Sequence, residues 1–116
     1  MLNFTGSLKV YIAMAPADLR KSFTGLWALT VNELKDDPTS GSLYVFTNGR
    51  RNRVKILYWD GTGLWVMTKR LEQGTFSWPK GMDPEDGKIQ LSPEALALIL
   101  DGVDLRRGSL RPWYQR

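Results

Sequence analysis

Arg50, Arg51, Arg53 and Lys55 place four cations within six residues, just after Asn48-Gly49 and just before Tyr58-Trp59. Guanidinium groups offer planar, paired donors and ammonium groups a point charge, so this density suits a phosphate backbone. Aromatic rings nearby would add stacking. Asn-Gly is a strong hairpin signal, because both central residues of a type I′ turn need positive φ. A two-residue turn at 48–49 sets Thr47 opposite Arg50, Phe46 opposite Arg51, Tyr44 opposite Arg53 and Ser42 opposite Lys55. Arg51, Arg53 and Lys55 then share one face with Tyr44 and Phe46, and Arg50 falls on the other. Pairing a third strand through a turn at 60–63 adds Arg70 to the cationic face. The same residues also fit a solvated hairpin tip that discourages edge-to-edge pairing, or a surface that docks protein. Leu57, Trp59, Leu64 and Val66 lie farther from the tip on that face and imply a covering helix.

Chemistry of other kinds finds little material. The chain has no histidine and no cysteine, which removes the commonest general base, the thiol nucleophile and most zinc sites. Asp60, Glu72 and Asp101 are the acids a two-metal nuclease would draw on, but their spacing matches no metal motif. Asp60 also fits a turn, and Glu72 a surface partner of Lys69 or Arg70. No glycine-rich phosphate loop is present. The expectation is a noncatalytic protein with no cofactor, no metal and no small-molecule substrate.

The elements that must position these cations follow from periodicity. Residues 8–13 read as a strand. Leu19, Phe23, Leu26, Trp27, Thr30, Val31 and Leu34 form one helical stripe, with Asp18 as its N-cap and Pro38 beyond its end. Gly25 inside that helix implies close packing. Arg20 and Lys21 then sit in the first helical turn, where cations oppose the helix dipole. They either pair locally with Asp18 or join the helix amides in an anion site. Runs 43–47, 50–59 and 64–72 are rich in β-branched and aromatic residues and predict an antiparallel meander. A further turn at Gln73-Gly74 leads into a strand at 75–78, which Pro79 ends, and 88–91 is another short strand. Ser92-Pro93-Glu94 opens a second helix, with Leu91 and Leu96 spaced as a hydrophobic staple.

The whole chain has 116 residues and a net charge of +4. That charge is uneven: residues 1–79 hold ten Lys/Arg against six Asp/Glu, 80–104 hold two against six, and 105–116 hold four against none. A basic balance favours anionic partners. One α+β domain is expected over 1–104, an antiparallel sheet meander with two principal helices, followed by a basic tail over 105–116. Trp113, Tyr114 and Arg111 make that tail a candidate partner-binding segment. No apolar run reaches the roughly 20 residues of a membrane span, and the expected compartment is the cytoplasm.

Three ordered blocks carry a family resemblance. They are Asp18-Leu-Arg-Lys-Ser-Phe-Thr-Gly-Leu26, Leu43-Tyr-Val-Phe46 continuing through Arg50-Arg51 to Lys55-Ile-Leu-Tyr-Trp-Asp60, and Lys69-Arg-Leu-Glu-Gln-Gly-Thr-Phe-Ser-Trp-Pro79. Together they resemble the TnpB-type accessory proteins of the IS-sixty-six insertion-sequence family, and Leu91-Ser-Pro-Glu and Leu100-Asp-Gly102 match that family's C-terminal pattern. The chain departs from it at Ser22 and Thr24, where glycine and aspartate are usual. The resemblance implies a small bacterial protein, encoded beside a larger transposase, that assists movement of the element without chemistry of its own. Its expected partners are the element's DNA and the co-encoded transposase. Arg20, Lys21, Arg51, Arg53, Lys55, Lys69 and Arg70 are the nucleic-acid candidates. Docking on the transposase without DNA contact is the alternative.

Overall fold

The computed structural model describes residues 8–79 and 86–102. Their order is β1 (Val10–Ala13), α1 (Phe23–Asn32), β2 (Leu43–Thr47), β3 (Arg53–Trp59), β4 (Leu64–Arg70), β5 (Lys88–Leu91) and α2 (Pro93–Leu100). The strands form one sheet in the order β4-β3-β2-β1-β5. Strands β2, β3 and β4 make the antiparallel meander, and β5 runs antiparallel to β1. Between β1 and β2 the pairing is parallel. That direction demands a crossover, and α1 with its flanking loops supplies it. The sheet is therefore mixed, though mostly antiparallel.

The two faces of the sheet bury separate clusters. Tyr11, Ala13, Tyr44, Phe46, Leu57, Leu64 and Val66 point toward α1 and pack with Leu19, Leu26, Leu29 and Leu34. On the other face Val10, Ile12, Leu43, Val45, Val54 and Ile56 pack with Phe76, Trp78 and the α2 residues Leu96 and Ile99. The central strand β2 is buried at all five positions. A strand covered on both faces cannot show polar alternation, which is why 43–47 reads as a continuous apolar run.

Several elements differ from expectation. Helix α1 starts at Phe23, not near residue 19, because Asp18 serves a tight turn ahead of it. The Asp18 carboxylate accepts the Arg20 backbone N–H at 3.0 Å, and the Lys21 N–H reaches the Asp18 carbonyl at 3.2 Å. Ser22 stands at the N-cap without a side-chain capping bond. Residues 75–78 are not a strand. Instead Phe76 and Trp78 plug the α2 side of the core, and the Trp78 indole donates to the Ala13 carbonyl at 2.9 Å. Two large aromatics stabilise this segment through burial, about 1.5–3 kcal/mol for a side chain of that size, without a ladder. Helix α2 begins as expected: Ser92 Oγ accepts the Ala95 N–H at 3.1 Å and Pro93 is its first residue.

Two glycines are forced by close approach. At Gly25 a Cβ would stand 2.6 Å from Lys21 Cβ, so the lysine stem lies across the helix there. Gly87 has φ +68, and a Cβ would meet the Glu33 carbonyl oxygen at 2.8 Å. Its own carbonyl accepts the Met14 N–H.

Candidate nucleic-acid interface

The β2–β3 connection is longer than a two-residue turn. Thr47 pairs with Val54, Phe46 with Lys55 and Tyr44 with Leu57, and residues 48–52 connect the end of β2 to the start of β3. Gly49 does not take the positive φ of a type I′ turn; Arg51 does, at 58°. Asn48 explains the choice. Its Oδ1 accepts the backbone N–H groups of Asn52 and Arg53, each at 3.1 Å, and its Nδ2 donates to Asn52 Oδ1 at 2.7 Å. Side-chain bonds of this kind offer the backbone an alternative to the tight turn.

This register moves every strand pair by four residues, an even number, so Arg53 and Lys55 keep the face they were expected to occupy. Arg70 pairs directly with Arg53. The bonds Leu71 N–H to Asn52 O and Asp60 N–H to Gly63 O identify the ladder's hydrogen-bonded pairs. Arg53 and Arg70 therefore form a non-hydrogen-bonded pair, the type with closer side chains. Both are exposed. Like charges directly opposite are destabilising, and the acid in reach is Glu72, whose Oε1 accepts from Arg70 at 3.4 Å.

Arg51 does not share that face. It lies in the loop, its carbonyl accepts the Phe76 N–H at 2.6 Å, and its Nη1 is enclosed with no hydrogen-bond partner among the described residues. The expected interleaving of cations with Tyr44 and Phe46 also fails. Both rings are fully buried beneath α1, so they are core and offer no stacking surface. The covering helix inferred from Leu57, Trp59, Leu64 and Val66 is α1 itself.

The remaining candidates divide between two sides. Lys55 Nζ donates to the Lys21 carbonyl at 2.8 Å, tying β3 to the approach of α1. Arg20 and Lys21 are exposed and precede α1. The Arg20 guanidinium makes a fork with Asp18, Nη2 to Oδ2 at 2.8 Å and Nε to Oδ1 at 3.0 Å. The hydrogen bonds from Arg20 hold the Asp18 carboxyl far below the usual carboxylate range. A shallow groove lined by Ala17, Asp18, Leu19, Arg20, Asn48 and Arg53 joins this turn to the hairpin loop. Lys69 lies on the opposite face, where Nζ donates to the Leu100 carbonyl at 2.6 Å, a favourable place for a cation at a helix C-terminus. Trp113, Tyr114 and Arg111 lie outside the described residues.

The acids weighed for catalysis have structural partners. Asp60 Oδ1 accepts from Thr62 and Gly63 backbone N–H groups and Oδ2 from the Trp65 indole at 2.7 Å. Those bonds, Thr62 N–H foremost, push its carboxyl well below the ordinary range. Asp101 caps α2, with its N–H on the Ala97 carbonyl. Sequence reasoning missed the bracing by Asn48 and Asn52; their spacing of four within a loop was the available signal.

The IS66 Orf2-like protein family matches residues 8–109, nearly the whole chain. The chain belongs to that family. Among relatives, the uncharacterized y4jC protein of Sinorhizobium fredii is 36% identical over 112 residues, covering 97% of this chain and 93% of its own length. The uncharacterized y4hO protein of the same organism is 39% identical over 107 residues, covering 91% and 90%. No solved structure matches. Among the described residues of this family member, no helix is long and apolar enough to cross a membrane.

Proposed function

We propose that this IS66 Orf2-like chain is a noncatalytic accessory factor of transposition that holds the backbone of the element's duplex DNA. The contact surface is the cationic end formed by the β2–β3 loop, the end of β4 and the turn before α1. The observation that carries the reading is the Arg53–Arg70 pair. Two exposed arginines set side by side cost stability unless an anion is shared between them, and a phosphate is such an anion. Arg20, across the groove from Arg53, and Arg50 on the loop extend the line of charge. Phosphate contacts of this kind position a duplex without reading its sequence.

The test is a titration of element-end duplex at several salt concentrations with wild-type protein and the double variant Arg53→Gln/Arg70→Gln. Losing two ion contacts should weaken binding and reduce the slope of log affinity against log salt by about 1.8, at about 0.9 per contact. Lys9→Gln is the control, since Lys9 precedes β1 at the opposite end of the strands and should leave the slope unchanged. A folded double variant with unaltered salt dependence refutes the reading.

A second reading is favoured by α1. Phe23 and Val31 are exposed, and Trp27 between them is half-buried, an apolar stripe at four-residue spacing that fits docking of the co-encoded transposase. Capture of the transposase without DNA, lost in Phe23→Ser/Val31→Ser, would support it; capture only with DNA present would count against it.

A further inference from the structure

We propose that β4 pairs with β4 of a second copy of this chain, antiparallel and centred on Met67, to give one continuous sheet across a two-fold axis. This goes beyond the DNA-binding reading and does not depend on it.

β4 is an edge strand of seven residues. Its register against β3 runs unbroken from Arg53–Arg70 to Trp59–Leu64, without a bulge, and it holds no proline. Bulges, prolines and short length are the usual devices that blunt a sheet edge. Because Leu71 and Gly63 bond inward to Asn52 and Asp60, the alternate residues Leu64, Val66, Thr68 and Arg70 turn their N–H and C=O groups outward. Among the described residues no strand pairs with them. Unpaired ladder groups in a row are a template for another strand.

The side chains choose the occupant and the register. Pairing about Met67 sets Leu64 against Arg70 and Val66 against Thr68, so all four outward residues exchange backbone bonds with outward residues of the second copy. Centring on Val66 or Thr68 leaves one end unpaired. On the α2 side, the Met67 centre places Lys69 against Trp65 of the other copy, in a non-hydrogen-bonded pair where side chains approach most closely. Trp65 is one of three large hydrophobic residues exposed on the described surface, at 41%. A cation over an indole ring is a favourable contact. The Trp65 indole N–H is held by Asp60 Oδ2, so the arriving ammonium also meets a carboxylate. Lys69 spends one of its three donors on Leu100, leaving two for that acid. The charges that would guard the edge of a monomer thus become complementary across the axis: Lys69 at one end answers Trp65 and Asp60 at the other.

The absence of cysteine makes a single introduced thiol a clean probe. In this register Met67 faces its own symmetry mate with Cα atoms about 4.5 Å apart, inside the range of about 4.4–6.8 Å for a disulfide. Met67→Cys should cross-link to a dimer on mild oxidation. Trp65→Cys and Lys69→Cys should not, because each would sit about 13 Å along the strand from its mate, at about 3.3 Å per residue. Sedimentation velocity over a concentration series should show wild-type dimer, and Val66→Pro should abolish it. Proline at 66 removes an outward N–H and no bond to β3, so circular dichroism should report a folded monomer. Should Val66→Pro unfold, the Met67→Cys result decides. The proposal is overturned by a wild-type monomer at every soluble concentration, by a dimer in which Met67→Cys fails to cross-link, or by a dimer that persists in folded Val66→Pro. An edge that pairs with the transposase while the chain alone stays monomeric also overturns it.

Discussion

Replacing Lys88 with methionine should cost this fold about 2–3 kcal/mol. Lys88 opens β5, and its side chain is only 10% exposed. Nζ donates to the Leu34 carbonyl at 2.7 Å and to Asp86 Oδ2 at 3.0 Å, stands 3.8 Å from Asp36 and lies over the Tyr11 ring at 5.4 Å. Methionine keeps the apolar stem and deletes the ammonium. Hydrogen bonds to charged groups are each worth about 1.5–3 kcal/mol, and the Leu34 carbonyl would be left unsatisfied beyond the end of α1. The loss stops short of the roughly 3–5 kcal/mol typical of a broken buried pair, because Asp86 and Asp36 are 49% and 26% exposed and can turn to water. At about 4–8 °C per kcal/mol for a domain near this size, the melting temperature should fall by roughly 10–20 °C. Thermal melts by circular dichroism would measure it, with Asp86→Asn as the companion. That variant keeps an acceptor for Lys88 and should cost less than about 1 kcal/mol, as exposed ion pairs do. A Lys88→Met protein melting within a degree or two of wild type would refute the idea that this ammonium ties β5 to α1.

Two further outcomes concern pH. The carboxyl of Asp60 is depressed by bonds from Thr62 and Trp65, and that of Asp18 by bonds from Arg20, so their contribution to stability is complete above the unfolded carboxylate range near pH 4 and is lost as pH falls toward their folded values. Melts between pH 6 and 2 should show that decline, and Asp60→Asn should make it shallower; an identical profile would sink the assignment. Tyr44 is the alkaline counterpart. Burial pushes its hydroxyl up to about 12, so its contribution is complete below the unfolded value of about 10 and disappears as pH rises from there to 12. Tyr44→Phe removes the bond to the Asp37 carbonyl and the contact with Ser40 Oγ, which should cost about 1 kcal/mol at neutral pH and flatten that alkaline limb.

What could be read from the chain directly was whatever depends on neighbours in sequence. Ser92-Pro93-Glu94 specifies the start of α2 through local capping, and the β-branched and aromatic runs specify β2, β3 and β4 because strand preference is short-range. The face shared by Arg53, Lys55 and Arg70 was also legible, since an even shift in register leaves parity intact. Family membership followed from ordered blocks of residues. What the sequence could not decide was the partner each element meets. Arg51 left the cationic face because Asn48, bonding to Asn52 and Arg53, enlarged the loop and put the positive φ on an arginine instead of on Gly49. Tyr44 and Phe46 became core because α1 crosses that face of the sheet, and the parallel pairing of β1 with β2 that requires this crossover joins residues more than thirty positions apart. Phe76 and Trp78 look like strand residues by composition but are fixed by a burial site that the strands and α2 build only once assembled. Propensity acts within a few residues, whereas burial and register are settled between elements, and in this protein the latter decided which cations and aromatics reach solvent.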